Sequence, residues 1–183
     1  SIMVGWINFL SQNAENPKLL DTKSIAELAY KAEVIEFESP GGMMDQYSTS
    51  VGNLIYLESE PQIKVEHIDR ALGAFVLGDS LEQKDTIGIL SRCRDSRLSI
   101  MSEMKKFDPD VNFQTISYGQ LDQFELDDEK RHLMIGTIKN RDLLYQAKVE
   151  LKKPNLDQNV FGRLLHDHHK VLSECLKVST PQI

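Results

Sequence analysis

Asp45 is the residue best placed for chemistry. It lies in the run ESPGGMMDQYSTSVGNLIYLE, where Pro40, Gly41 and Gly42 form a strong turn signal and a short helix is expected from about Met43 to Gly52. Glycines in such a turn permit positive φ and leave no side chain between the backbone and a ligand. A helix that starts there aims free N–H groups at whatever lies in front of it. An acid in the first turn can accept a hydrogen bond from a substrate hydroxyl. It can equally complement the positive end of the helix dipole, and spacing alone favours that plainer role.

Other chemically capable residues carry weaker signals. HDHH sets His166 and His169 three residues apart on one helix face, a geometry open to two metal ligands. No third ligand stands near them in sequence, and a polar helix face accounts for them more simply. Arg92, Arg94 and Arg97 lie among acidic neighbours, the pattern of a solvated face. Cys93 and Cys175 are far apart and lack metal-type spacing. A reducing, cytoplasmic setting is therefore expected. The 183 residues contain neither a G-x-x-x-x-G-K-[ST] nor a G-x-G-x-x-G segment.

Composition bounds the class of protein. Apolar residues make up 40% of the chain and charged residues 27%, enough to bury a globular core. The net charge of −7 argues against a nucleic-acid partner, which needs clustered Lys and Arg. No apolar run approaches membrane-spanning length, so no membrane partner is expected. The opening SIMVGWINFL lacks a basic leader and a small-residue cleavage site, so it does not read as a signal peptide. It also lacks an initiator Met, and it reads as the start of an internal piece of a longer protein.

The elements that must position Asp45 follow from periodicity. Ser1 to about Asn13 reads as a helix apolar almost all round, and such helices are normally buried. Pro17 separates it from a second helix over about Thr22 to Phe37, with Ile25, Leu28, Ala29, Ala32 and Ile35 on one face. Asp21 can cap that helix, or Ser24 and Glu27 can form a capping box. NLIYLES and GAFVLGDS read as strands, and PQIKVEHI as a third, more exposed one. Helices are expected from about Asp85 to Lys106, Glu125 to Lys153 and Leu156 to Leu176. Pro154 separates the last two. DPDVNFQTISYGQLD reads as a loop, with room for a short strand. The fold class is α/β to α+β, mixed over 1–82 and mostly helical over 83–183.

The run GGMMDQYSTSVGNLIYLE resembles the Gly-x-Met-Asp-Gln segment of galactokinases, members of the GHMP family of small-molecule kinases. GAFVLGDSLEQKDT and FGRLLHDHHKVLSECLKVS resemble two later stretches of that family, in the same order. The resemblance implies part of a two-domain fold. Residues 1–82 would be the later part of a ribosomal-protein-like N-terminal domain, and 83–183 the early, helix-rich part of a ferredoxin-like C-terminal domain. It implies ATP and Mg²⁺ as cofactors and a sugar, galactose at its anomeric hydroxyl, as substrate. Asp45 would contact the attacking hydroxyl, and Gly42 would border the sugar. Glu33, twelve residues before Asp45, and Ser1, thirty-two before Glu33, fall without a gap on the family's magnesium positions. Ser1 would be the last serine of a phosphate loop. His169 takes the family's Ser-His position, with His168 in place of the serine.

Departures from the family pattern are equally specific. Its first motif and its late Gly-rich stretch are absent, and no tyrosine lies between Tyr56 and Tyr118, where the family has a sugar-contacting one. Two further readings remain open: a non-catalytic sugar- and ATP-binding regulator on the same scaffold, and a helical interaction module.

Overall fold

The computed structural model describes residues 2–15, 17, 19–81 and 86–180. It is a helix-rich α+β structure with one two-stranded sheet, and it divides into two compact units, Ser1–Leu72 and Gly73–Ile183.

In the first unit, α1 is Ile2–Asn13 and α2 is Thr22–Tyr30, which runs on into a π-helical turn, Lys31–Ile35. α3 is Met44–Val51. β1, Ile55–Glu58, pairs antiparallel with β2, Lys64–His67, with Tyr56 opposite Glu66. Asp21 is the cap of α2, its carboxylate accepting from the Ser24 N–H at 2.7 Å. Of the face the spacing predicts, Ile25 and Ala29 are buried, but Leu28 is exposed and Ala26 is buried in its stead. The π turn then changes the register. Its wider coil carries Val34 to the buried side and leaves Ile35 exposed.

α2 and α3 form an antiparallel hairpin. Ser50 Oγ, near the end of α3, donates to the Thr22 carbonyl at the start of α2 at 2.6 Å, while Gln46 reaches Glu33 at the other end. Ala26, Ala29 and Tyr47 have no exposed surface. Burying a side chain the size of Tyr47 contributes about 2 kcal/mol.

Two sequence expectations are corrected. The opening helix forms but is not buried all round: Val4 is buried, whereas Ile2, Trp6, Phe9 and Leu10 are exposed. Only the stripe of Met3, Val4 and Ile7 packs, against Ile25, Ala29 and Leu20. The stretch GAFVLGDS is not a strand. Residues 73–80 carry no regular structure, and Phe75, Val76 and Leu77 are 83%, 96% and 98% exposed. β-propensity acts only where a neighbouring strand and a buried face receive it, and the one sheet among the described residues ends with β2.

The second unit is helical. Its elements are α4 (Thr86–Met104), α5 (Tyr118–Leu121), α6 (Asp128–Lys152) and α7 (Gln158–Glu174). The expected loop thus holds a short helix, α5, in place of a strand. Ser117 and Gln120 close a reciprocal capping box on it. Asp127 and Asp157 cap α6 and α7 through backbone N–H groups two or three residues on. Ile100, Met104, Val111, Ile116, Leu121, Met134, Ile138 and Val171 are fully enclosed in the core. Gly136 lets the end of the α7 region approach α6: a Cβ there would stand 2.4 Å from the Cys175 Cβ.

Pro154 stops α6 as expected, and the turn to α7 is held by a buried acid. Lys153 Nζ donates to Glu150 Oε2 at 2.5 Å, and the Asp157 N–H donates to Oε1 at 3.1 Å. The Lys153 ammonium, then the Asp157 N–H, hold the Glu150 carboxyl below the usual glutamate range. A lowered value in the folded chain means that the carboxylate stabilises the fold. That contribution is present above the ordinary glutamate range and is lost as pH falls through the lowered value. Glu150→Gln is therefore expected to be less stable than the wild type near neutral pH. The gap should narrow as pH falls below the ordinary glutamate range and close once it has passed the lowered value, as read by urea denaturation at a series of pH values.

Candidate functional site

The turn before α3 differs in one respect from its sequence reading. Gly41 and Gly42 both lie outside the positive-φ region, which among the glycines is taken by Gly52 and Gly73. Their use here is space. A Cβ on Gly41 would meet Ser39 Oγ and Val34 Cγ2 at ordinary contact distance, and one on Gly42 would meet nothing within 4 Å. Gly42 is exposed, so its backbone is open to an approaching molecule.

Asp45 lies in the first turn of α3, exposed, on a helix start whose N-cap, Met43, makes no side-chain capping bond. The next residue turns the other way. Gln46 is 4% exposed, and its Nε2 donates to Glu33 Oε2 at 2.5 Å. Glu33 is half-buried on the π turn. Successive residues on a helix are separated by about 100°. The same turn of α3 therefore presents one carboxylate to solvent and grips a second through its neighbour. Such π turns recur at functional sites.

Two buried polar atoms sit beside this arrangement without hydrogen-bond partners among the described residues, Gln46 Oε1 and the Tyr47 hydroxyl. Burial, and then the nearby Glu27 carboxylate, raise the Tyr47 phenol above its usual range, so it stays protonated at neutral pH. Incomplete pairing of this kind costs stability and marks the site within the otherwise apolar packing of the first unit.

Of the remaining sequence candidates, Ser1 lies outside the described residues. His166 is exposed, and His168 and His169 are half-buried. Burial, then His169, hold the His168 imidazole below its usual range. Among the described residues, no group of three or more His, Cys, Asp or Glu can hold a metal ion. The arginine cluster is corrected in part. Arg92 donates to the Leu176 and Lys177 carbonyls, both at 3.0 Å, and Arg97 to the Cys93 carbonyl. Arg92 thereby ties α4 to the segment just after α7 and Arg97 bonds back within α4, while Arg94 pairs with Asp95. Sequence reasoning missed Gln46 and Tyr47. The signal was present as two polar residues inside the MDQY run, but spacing does not say which of them turn inward.

Two cavities open in the second unit, of about 830 and 510 Å³, and neither is lined by Asp45, Gly42 or Glu33. No described helix is long and apolar enough to cross a membrane. No protein-family model, curated protein or solved structure matches the chain.

The Gln46–Glu33 bond gives a direct test of the site's construction. Gln46→Leu keeps the volume but removes the donor from a half-buried carboxylate. We expect a loss of about 1–3 kcal/mol in chemical denaturation. Asp45→Asn, at an exposed position, should stay within about 0.5 kcal/mol of the wild type.

Proposed function

We propose that the chain is part of a galactokinase-like sugar kinase, in which Asp45 receives the sugar hydroxyl that attacks ATP. The observation that carries this reading is the division of labour on one turn of α3. Asp45 faces solvent behind an open glycine turn, and Gln46 turns inward to orient Glu33. The Gly-x-Met-Asp-Gln resemblance names the same acid.

In this reading the carboxylate of Asp45 accepts a hydrogen bond from the hydroxyl and sets its oxygen in line for transfer, with the exposed backbone at Gly42 beside the sugar. The hydroxyl oxygen bonds to the γ-phosphorus, the bond to the bridging oxygen breaks, ADP leaves, and the hydroxyl proton passes to the Asp45 carboxylate as transfer proceeds. Positioning contributes more here than full removal of the proton before transfer. Bound MgATP supplies the phosphoryl group and the charge neutralisation. Glu33 would hold Mg²⁺ together with Ser1. A half-buried carboxylate oriented by an amide fits that role, since magnesium in kinase sites takes one or two protein carboxylates and completes its shell with phosphates and water. The two-domain GHMP architecture belongs to the same proposal.

The lack of any glycine-rich phosphate loop in the sequence favours a second reading for these 183 residues alone, binding without turnover. A thermal-shift series on the chain, with hexoses and with MgATP, tests the assignment. Ligand that binds only the folded state raises the Tm by mass action. Galactose should raise it, Asp45→Asn should abolish that rise, and glucose should give less. The chain by itself should phosphorylate galactose at a negligible rate. Equal shifts for wild type and Asp45→Asn would remove Asp45 from the sugar site.

A further inference from the structure

The smaller cavity of the second unit has a composition that no part of the kinase reading uses. It lies between the end of α4 and the segment that follows α5. Its apolar floor is the half-buried Leu126 with the little surface that Ile100 and Met104, each 1% exposed, show to it. Phe107 and Phe124 form an aromatic wall, their rings edge to face with centroids 6.0 Å apart. Phe107 is 80% exposed, so its ring surface is open to a visitor. Glu103 and Glu125 supply the charge, and no Lys, Arg or His lines the space. Lys105 and Lys106 adjoin it in sequence without lining it. Among the described residues, neither of the two carboxylates has an ion-pair partner.

We infer that this cavity binds a small organic cation of the alkylammonium class. An apolar floor takes an alkyl body, and aromatic faces attract a cation within about 6 Å of the ring centroid. Two carboxylates in the same lining add to that attraction and repel anions. The volume of about 510 Å³ falls in the range of small-ligand sites, roughly 300–1,000 Å³. A neutral apolar molecule would gain the floor and the rings but nothing from the acids. Charge complementarity therefore selects the cation, and it does so independently of any sugar or nucleotide bound elsewhere on the chain.

The test uses the full chain, labelled at its methionine methyl groups, and two probes of nearly the same shape. Choline carries the charge, and 3,3-dimethyl-1-butanol is its neutral counterpart. Choline should give saturable shifts at the Met104 methyl, and the alcohol should bind at least about fivefold more weakly. Glu103→Gln and Glu125→Gln, both at exposed positions, should each weaken choline by about two- to fivefold without changing the circular dichroism of the chain. Equal affinity for the two probes overturns the inference. So does the absence of saturation at tens of millimolar choline. Shifts at Met104 that follow protein concentration, the mark of a second copy seated on Phe107, overturn it as well.

Discussion

The hydrogen bond from the buried Gln46 amide to the Glu33 carboxylate is the interaction on which the candidate site depends. It joins the first turn of α3 to the π turn that ends α2. At the opposite end of the same hairpin, Ser50 fastens α3 to Thr22. Between these two points Ala26, Ala29 and Tyr47 pack without exposed surface. The rotation of α3 about its own axis is thereby fixed. With that rotation Gln46 and Tyr47 face inward and Asp45 lies exposed.

Much of this was legible in the sequence, for reasons that differ by element. Helices with strong caps and clear periodicity were readable: Asp21 before α2 and Pro154 after α6 each act through a local backbone group, although the cap that starts α6, Asp127, was not picked out. The π turn was not, because inserting one residue into a helical coil leaves no compositional mark. It explains why Val34 and not Ile35 is buried. The stretch at Phe75–Leu77 has strand composition, yet strand formation is decided by what lies alongside, which local sequence does not encode. The exposed face of α1 has the same origin: Trp6 and Phe9 are apolar, and nothing among the described residues packs over them to the extent seen at Val4.

The candidate site divides along the same line. Residue type and spacing drew attention to Asp45 and the glycine turn ahead of it, and Glu33 entered through the family resemblance alone. The partner that connects the two acids, Gln46, emerged only from the packing. The glycines serve by leaving space and not by adopting positive φ. In the second unit, Arg92 and Arg97 looked like surface charge, but their guanidiniums satisfy backbone carbonyls just after α7 and within α4. Arginine forks serve structure as readily as substrate, so a basic cluster in sequence carries little functional information by itself.

The central claim is that Asp45 meets a sugar hydroxyl. Amide NMR of the full chain during a galactose titration tests it most directly. The account predicts saturable shifts centred on the Gly41–Gln46 backbone, lost in Asp45→Asn while the rest of the spectrum is retained. Shifts confined to the second unit, or an unchanged response in Asp45→Asn, would contradict it.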